Sequence, residues 1–334
     1  MVAVVYDQQD DEFCLQMEHI GVPMFYIKFG YHYLRFCFKW TNFFVWIKLW
    51  LLIRQLGITK IHCHHPQLLS SIPPWVNRMD ISCHNHAWFA EGTFHSNVKN
   101  TPLMKLRKYS KDNQFCLNRA SKVISVSNSA DSFVKRDLKY LDDTKFFVLL
   151  NSPRSDIKCA MPAKKIKKCT SILTLGNISR EKGFFDLVLL AEKVPTLEFF
   201  WYGSPTAEVN RYTRDKPVPD NLHINGYSTS VDRLYEKTDV LLIPSHREAM
   251  SNTALEAFQF GVPLLAWDIE PMRDLAELGF KLDLCNAFDT DDIIDRLNTV
   301  HLRWTQSDIS INRKLVDQIN SQSQARKFIE ILGF

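Results

Sequence analysis

The chain has 334 residues, 46% of them apolar and 23% charged, with a formal net charge of +4. That is enough length and apolar content for two ordinary globular domains. Its eight scattered cysteines form no C-x-x-C pair, which excludes a disulfide-stapled scaffold and reads as reduced thiols.

The charge is uneven. Residues 1–160 carry 20 Lys and Arg against 13 Asp and Glu, and the remainder carries 21 against 24. A basic front half points to an anionic partner there, such as a membrane surface or a phospholipid, or simply to a solvated basic face.

In chain order, Val2–Tyr6 reads as a short strand, followed by a polar helix start near Gln8–Glu12 and a strand at Met24–Lys28. The first residues lack a basic start and an apolar core, so no secretory leader is expected. Trp40–Leu56 has helical spacing, closed by Gly57 as a C-cap. Lys48 and Arg54 interrupt its apolar run, which falls short of the ~20 residues a membrane span needs. Strands follow at Ile58–Cys63, Asp80–Cys83 and Lys122–Val126, with a basic helix over Pro102–Ala120 between the last two. The aromatic helix (Trp40, Phe43, Phe44, Trp46, Trp50) and the basic helix (Lys105, Arg107, Lys108, Lys111, Arg119) suit either peripheral membrane contact or ordinary core packing. The expectation is a cytoplasmic protein with optional contact on the inner face of the cell membrane.

Residues 161–170 are a basic, proline-containing linker, the predicted boundary between domains at 1–160 and 171–334. The last helix is a candidate to return to the first domain. Beyond the linker, strands at Ile172–Leu175, Leu197–Tyr202, Leu222–Asn225, Val240–Ile243 and Leu264–Trp267 alternate with helices starting near Gly183, Val231 and Ser251. Such alternation in both halves predicts α/β, two Rossmann-like doubly wound domains facing across a cleft.

Chemistry-bearing residues gather at predicted strand ends. Gly176, Asn177, Arg180, Lys182 and Gly183 form a polar, cationic loop opening a helix, suited to a diphosphate. Gly203 would let a ligand approach the backbone. Pro244-Ser245 leads to Glu248, then Ser251, Asn252 and Thr253 at a helix start whose N–H groups suit an anion. Glu256 lies one turn past Asn252, where a carboxylate can accept from vicinal ribose hydroxyls. His62-Cys63-His64-His65 alternate on a strand end, but no distant partner is evident at ligand spacing, and zinc is set aside. The chain has no G-x-S-x-G elbow and no G-x-G-x-x-G after its first strand, against a serine hydrolase and a nicotinamide dehydrogenase.

Taken in order, Lys182-Gly183, Gly203, Pro244-Ser245, Glu248, Glu256-Ala257 and Gly261-x-Pro263 resemble the retaining GT-B glycosyltransferases of the family 4 grouping. The resemblance covers residues 171 to about 275 and, more loosely, the first half. It implies that Lys182 binds the donor diphosphate, Glu256 the ribose and Glu248 the transferred sugar, with the amides of Ala249–Thr253 cradling sugar and phosphate. His84 is the implied catalytic histidine of the first domain, with His86 the alternative.

Further, the resemblance implies a UDP- or GDP-linked sugar as donor, a glycan or lipid-linked saccharide as acceptor, no metal and no cofactor. No nucleic-acid partner is expected. The chain departs from the pattern twice. Asn177 stands where the family usually has an arginine, with Arg180 a candidate substitute. The usual first strand, Gly-rich loop and helix are expected to be absent or replaced. A non-catalytic nucleotide-sugar-binding subunit of a polysaccharide assembly complex and a nucleotide-sugar 2-epimerase are the competing readings.

Overall fold

The structure, a computed structural model, describes residues 4–6, 24–26, 41–64, 72–73, 76, 79–85, 117–137, 143–154 and 167–333. The predicted helix over Gln8–Glu12, most of the basic helix over Pro102–Ala120, and His65 and His86 lie outside the described residues. Contacts divide the chain into two compact units. One takes 1–85, 89–124 and 135–147; the other takes 86–88, 125–134 and 148–334. Unit two therefore begins before the basic linker and includes the helix Ser321–Leu332.

In the first unit, β1 (Val4–Tyr6) pairs in parallel with β2 (Met24–Tyr26). The helix α1 spans Thr41–Leu56, and Gly57 follows with φ +61, as its C-cap reading requires. A second sheet has the order β3-β4-β5-β6, formed by Lys60–Cys63, Asp80–Asn85, Lys122–Ser125 and Phe146–Val148. β3 and β4 run parallel, with His62 opposite Ser82 and Cys63 opposite Cys83.

The helix α2 (Asn128–Asp137) follows β5. The second unit is one six-stranded sheet of β7 (Ser171–Leu175), β8 (Glu198–Tyr202), β9 (Leu222–Asn225), β10 (Val240–Ile243), β11 (Leu264–Trp267) and β12 (Asp283–Cys285). Every pairing in it is parallel, in the order β12-β11-β10-β7-β8-β9. Helices α3 (Phe184–Lys193), α4 (Ala207–Asp215), α5 (Val231–Lys237), α6 (Asn252–Phe260), α7 (Glu270–Glu277), α8 (Thr290–Arg303), α9 (Gln306–Gln318) and α10 (Ser321–Leu332) complete it.

The unbroken apolar runs of β10 and β11 follow from burial on both faces. Val240, Leu242, Leu265 and Trp267 enter one core layer, with Phe184, Trp201 and Leu297. Leu241, Ile243, Leu264 and Ala266 enter the opposite layer, with Phe258, Leu255 and Met272. Each fully buried Leu or Phe contributes roughly 1.5–3 kcal/mol. Two cores of this kind hold the strand ends rigidly, and the site stands on those ends.

Strand order reverses at β7: β8 and β9 extend to one side, β10 to β12 to the other. In open parallel sheets ligands bind beyond the carboxyl ends of the strands at such a switch point. The loops leaving β7 and β10 are therefore where a ligand belongs.

Candidate functional site

The β7 loop, residues 176–183, folds close against the end of β10. Gly183, the N-cap of α3, has φ +84, and a Cβ there would lie 2.0 Å from the Pro244 carbonyl oxygen. Only glycine fits both the left-handed backbone and that approach. Gly203, after β8, is bound by a similar limit: its Cβ would sit 2.0 Å from the Gly176 carbonyl oxygen. The Trp201 indole N–H donates to the same Gly176 carbonyl at 3.0 Å.

This approach brings together residues 66 apart in sequence. The Lys182 ammonium donates to Glu248 Oε1 at 2.5 Å, with the two side chains 35% and 11% exposed. The His246 N–H donates to the Glu181 carbonyl at 2.9 Å, tying the β10 loop to the β7 loop. His246 Nε2 meets Asp186 Oδ2 at 2.5 Å, and Arg247 Nη1 lies 3.7 Å from Glu181 Oε1. The Ser127 hydroxyl donates to the Ala249 carbonyl at 2.7 Å within the same unit.

Ser251 caps α6: its hydroxyl accepts from the Ala254 N–H at 3.3 Å and meets the Thr253 hydroxyl at 2.9 Å. Ser251 is buried, Thr253 half-buried and Asn252 exposed. The first turn of a helix directs N–H groups and the positive end of its dipole outward.

Glu256 is buried in α6, and its Oε2 shares the Tyr235 hydroxyl proton (3.0 Å) with the Thr253 carbonyl (3.1 Å). Burial, and then the charge and hydrogen bond of Glu256, push the Tyr235 phenol well above its ordinary pKa. It therefore stays a donor. Its ring stacks on Phe260 at 5.0 Å, which fixes the hydroxyl's position.

Of the residues singled out from sequence, Lys182 and Glu248 meet directly, and Ser251, Thr253 and Glu256 stand on the helix that follows. Gly176 and Gly203 are neighbours through their backbones. Arg180 is otherwise engaged: its Nε and Nη2 donate to Glu208 Oε1 at 2.9 and 2.5 Å, and its guanidinium lies 4.4 Å from the Phe185 ring centroid. Asn177 is exposed. Sequence reasoning missed Tyr235, His246, Arg247 and Asp186. Of these, His246 and Arg247 had a signal, since they immediately precede Glu248 at the β10 strand end.

His84 is buried in β4 of the first unit, beside His62 and His64. Ring centroids are 5.5 Å apart for His62–His84, 5.9 Å for His64–His84 and 4.9 Å for His62–His64. Desolvation lowers the His64 imidazole from its usual pKa, although part of that side chain reaches solvent.

Residues 160–314 match the family model described as Glycosyl transferases group 1. This stretch is a glycosyltransferase group 1 domain. The chain is also similar to the alpha-galactosylglucosyldiacylglycerol synthase of Streptococcus pneumoniae, 27% identical over 118 residues, which are 33% of this chain and 32% of that protein. Among solved structures it is similar to Anabaena HepE in complex with UDP and glucose. The TM-score is 0.76 at 15% identity, covering 99% of this chain and 91% of HepE. Sucrose-phosphate synthase from Thermosynechococcus elongatus gives 0.69 at 15%, covering 99% and 97%.

These likenesses show the GT-B type of fold, two Rossmann-like parallel α/β halves, as the element alternation predicts. The chain spans 32%, 42% and 50% of the length of the curated relatives it matches. No helix among the described residues is long and apolar enough to cross a membrane.

Proposed function

We propose that the chain is a retaining glycosyltransferase. It moves a hexose or N-acetylhexosamine from a UDP- or GDP-linked donor to a lipid-linked glycan acceptor, in surface polysaccharide or glycoconjugate synthesis. The observation that carries this reading is the 2.5 Å contact of Lys182 with Glu248 at the switch point of the second sheet, with the α6 N-terminus and Glu256 next in sequence. The family match over residues 160–314, and the UDP and glucose held by HepE, support a nucleotide-sugar donor. The name of the streptococcal relative supports a lipid-linked acceptor.

The chemistry follows from these groups. Lys182 has three N–H donors, so it can keep Glu248 on one and offer the others to a departing diphosphate. The first amides of α6 add fixed positive dipoles that need no reorganisation as charge develops. Glu248, oriented by Lys182, accepts from hydroxyls of the transferred sugar. Glu256, oriented by Tyr235, accepts from ribose hydroxyls. The leaving group is neutralised by protein cations and amides, and transfer needs no metal. His84 takes the sugar-step role that the resemblance implies.

The test is incubation with labelled UDP- and GDP-sugars and a membrane extract. A new glycosidic linkage with retained anomeric configuration is expected. Lys182→Ala and Glu256→Ala should each lower its rate at least about tenfold, the effect of losing ~1.4 kcal/mol of transition-state binding. Unchanged rates in both variants contradict the assignment.

The engagement of Arg180 with Glu208 favours a second reading, a nucleotide-sugar-binding protein without transfer activity. Donor binding with no product would support it, and an inverted free donor would indicate an epimerase.

A further inference from the structure

The two C-terminal strand ends β3 and β4 carry matched sequences, His62-Cys63-His64 and Ser82-Cys83-His84. The strands are parallel, with His62 opposite Ser82. Side chains alternate along a strand, so His62, His64, Ser82 and His84 share one face and the two buried cysteines take the other. Two residues beyond the His62–Ser82 pair, His64 comes opposite His84. Three imidazoles thus meet at the carboxyl end of a parallel sheet, and one nitrogen from each lies within 4.8 Å of the others.

A second observation orients them. His62 Nδ1 lies 2.8 Å from the Ser82 hydroxyl oxygen, and that hydroxyl donates to the Ile61 carbonyl at 3.4 Å. In the tautomer where the serine proton goes to the carbonyl, the oxygen accepts from Nδ1–H and the lone pair of His62 is on Nε2. A hydrogen bond on the far ring nitrogen is how protein metal sites set the tautomer of a ligating histidine.

We propose that His62, His64 and His84 form a binding site for a divalent cation of the zinc class, with the fourth coordination position open to water or an anionic oxygen. Imidazole nitrogens suit zinc, cobalt, nickel and copper and discriminate against magnesium and calcium, which take oxygen ligands. Tetrahedral coordination at about 2.0–2.1 Å sets ligand nitrogens roughly 3.4 Å apart. Ion binding would draw the three nitrogens from within 4.8 Å of one another to that spacing. The exposed edge of His64 supplies the entry path.

The site lies wholly in the first unit and shares His84 with the transfer reading, so ion binding and the sugar-step role of that residue exclude each other. It is tested on the chelator-treated full chain without donor, by calorimetric titration with Zn2+ and by visible absorption with Co2+. One ion per chain is expected, together with the d–d absorption of a nitrogen-ligated tetrahedral cobalt and no thiolate charge-transfer band.

His64→Ala, at the solvent edge, and His84→Ala should each weaken Zn2+ binding at least tenfold, and Ser82→Ala about tenfold through His62. Should His84→Ala fail to fold by circular dichroism, His64→Ala and the cobalt spectrum of the unmodified chain still decide. Absence of saturable binding, unchanged affinity in His64→Ala, or a thiolate band would overturn the proposal.

Discussion

Tyr235 shows how one buried hydroxyl supports a charged group. Glu256 is almost fully enclosed by α6 and its surroundings, and a buried carboxylate that loses a donor bears a desolvation penalty of roughly 1–3 kcal/mol. Tyr235→Phe removes the donor while keeping the ring stack on Phe260. It should lower stability by ~1–2 kcal/mol in urea unfolding and weaken UDP binding about fivefold, the effect of losing ~1 kcal/mol of orientation. Unchanged UDP affinity would mean that Glu256 does not depend on the phenol.

A different carboxylate does structural work. Asp239 precedes β10 and accepts from the Thr170 N–H and hydroxyl and the Ser171 N–H at 3.0, 2.9 and 3.2 Å, with Lys167 at 3.3 Å. Desolvation opposes its ionisation, but the Thr170 and Lys167 contacts win and hold its pKa below the ordinary value. A carboxyl depressed in the folded state stabilises above its unfolded pKa, and that stability is lost as pH falls through the folded one. Asp239→Asn should therefore lower the urea midpoint at pH 7, by ~1–3 kcal/mol in stability. The gap between variant and wild type should close as pH falls below the usual carboxylate range.

Among the elements, the two loops at the switch point are set by backbone approach rather than by side-chain attraction. Gly183→Ala places a methyl group into the Pro244 carbonyl on a left-handed backbone. It should destabilise by at least ~2 kcal/mol in thermal unfolding and displace Lys182 from Glu248. Gly57→Ala has a positive φ but open space around it, and should cost ~1 kcal/mol or less.

Strand positions were legible in the sequence because β10 and β11 are uninterrupted apolar runs and β7 is followed directly by a glycine. The Lys182 and Glu248 loops were legible because each leaves such a strand directly. Tyr235 was not, since nothing in Val231–Lys237 shows which face of α5 meets α6. The histidine cluster was invisible for a related reason: His84 joins His62 and His64 through strand register, which no local spacing reports. The pairing of Arg180 was not legible either, because its partner Glu208 stands 28 residues away on α4.

On the scale of the molecule, the second unit joins the classical 3-2-1-4-5-6 order of dinucleotide folds to a cationic loop at the reversal point. The first unit contributes a basic sequence and a histidine-bearing sheet. A ligand that binds only the folded second unit must stabilise it by mass action, about 2.7 kcal/mol at a hundredfold excess over Kd. UDP at that excess should therefore raise the unfolding midpoint by several degrees in wild type and far less in Lys182→Ala.

In the proposed function, Lys182, Glu248 and Glu256 form one nucleotide-diphosphate site on the second sheet. The most direct test of that site is calorimetric titration of UDP and GDP into wild type, Lys182→Ala and Glu256→Ala. The prediction is saturable one-to-one binding of one nucleotide by wild type, weakened at least tenfold in each variant. Wild-type affinity retained in both variants, or no saturable binding of either nucleotide, would contradict it.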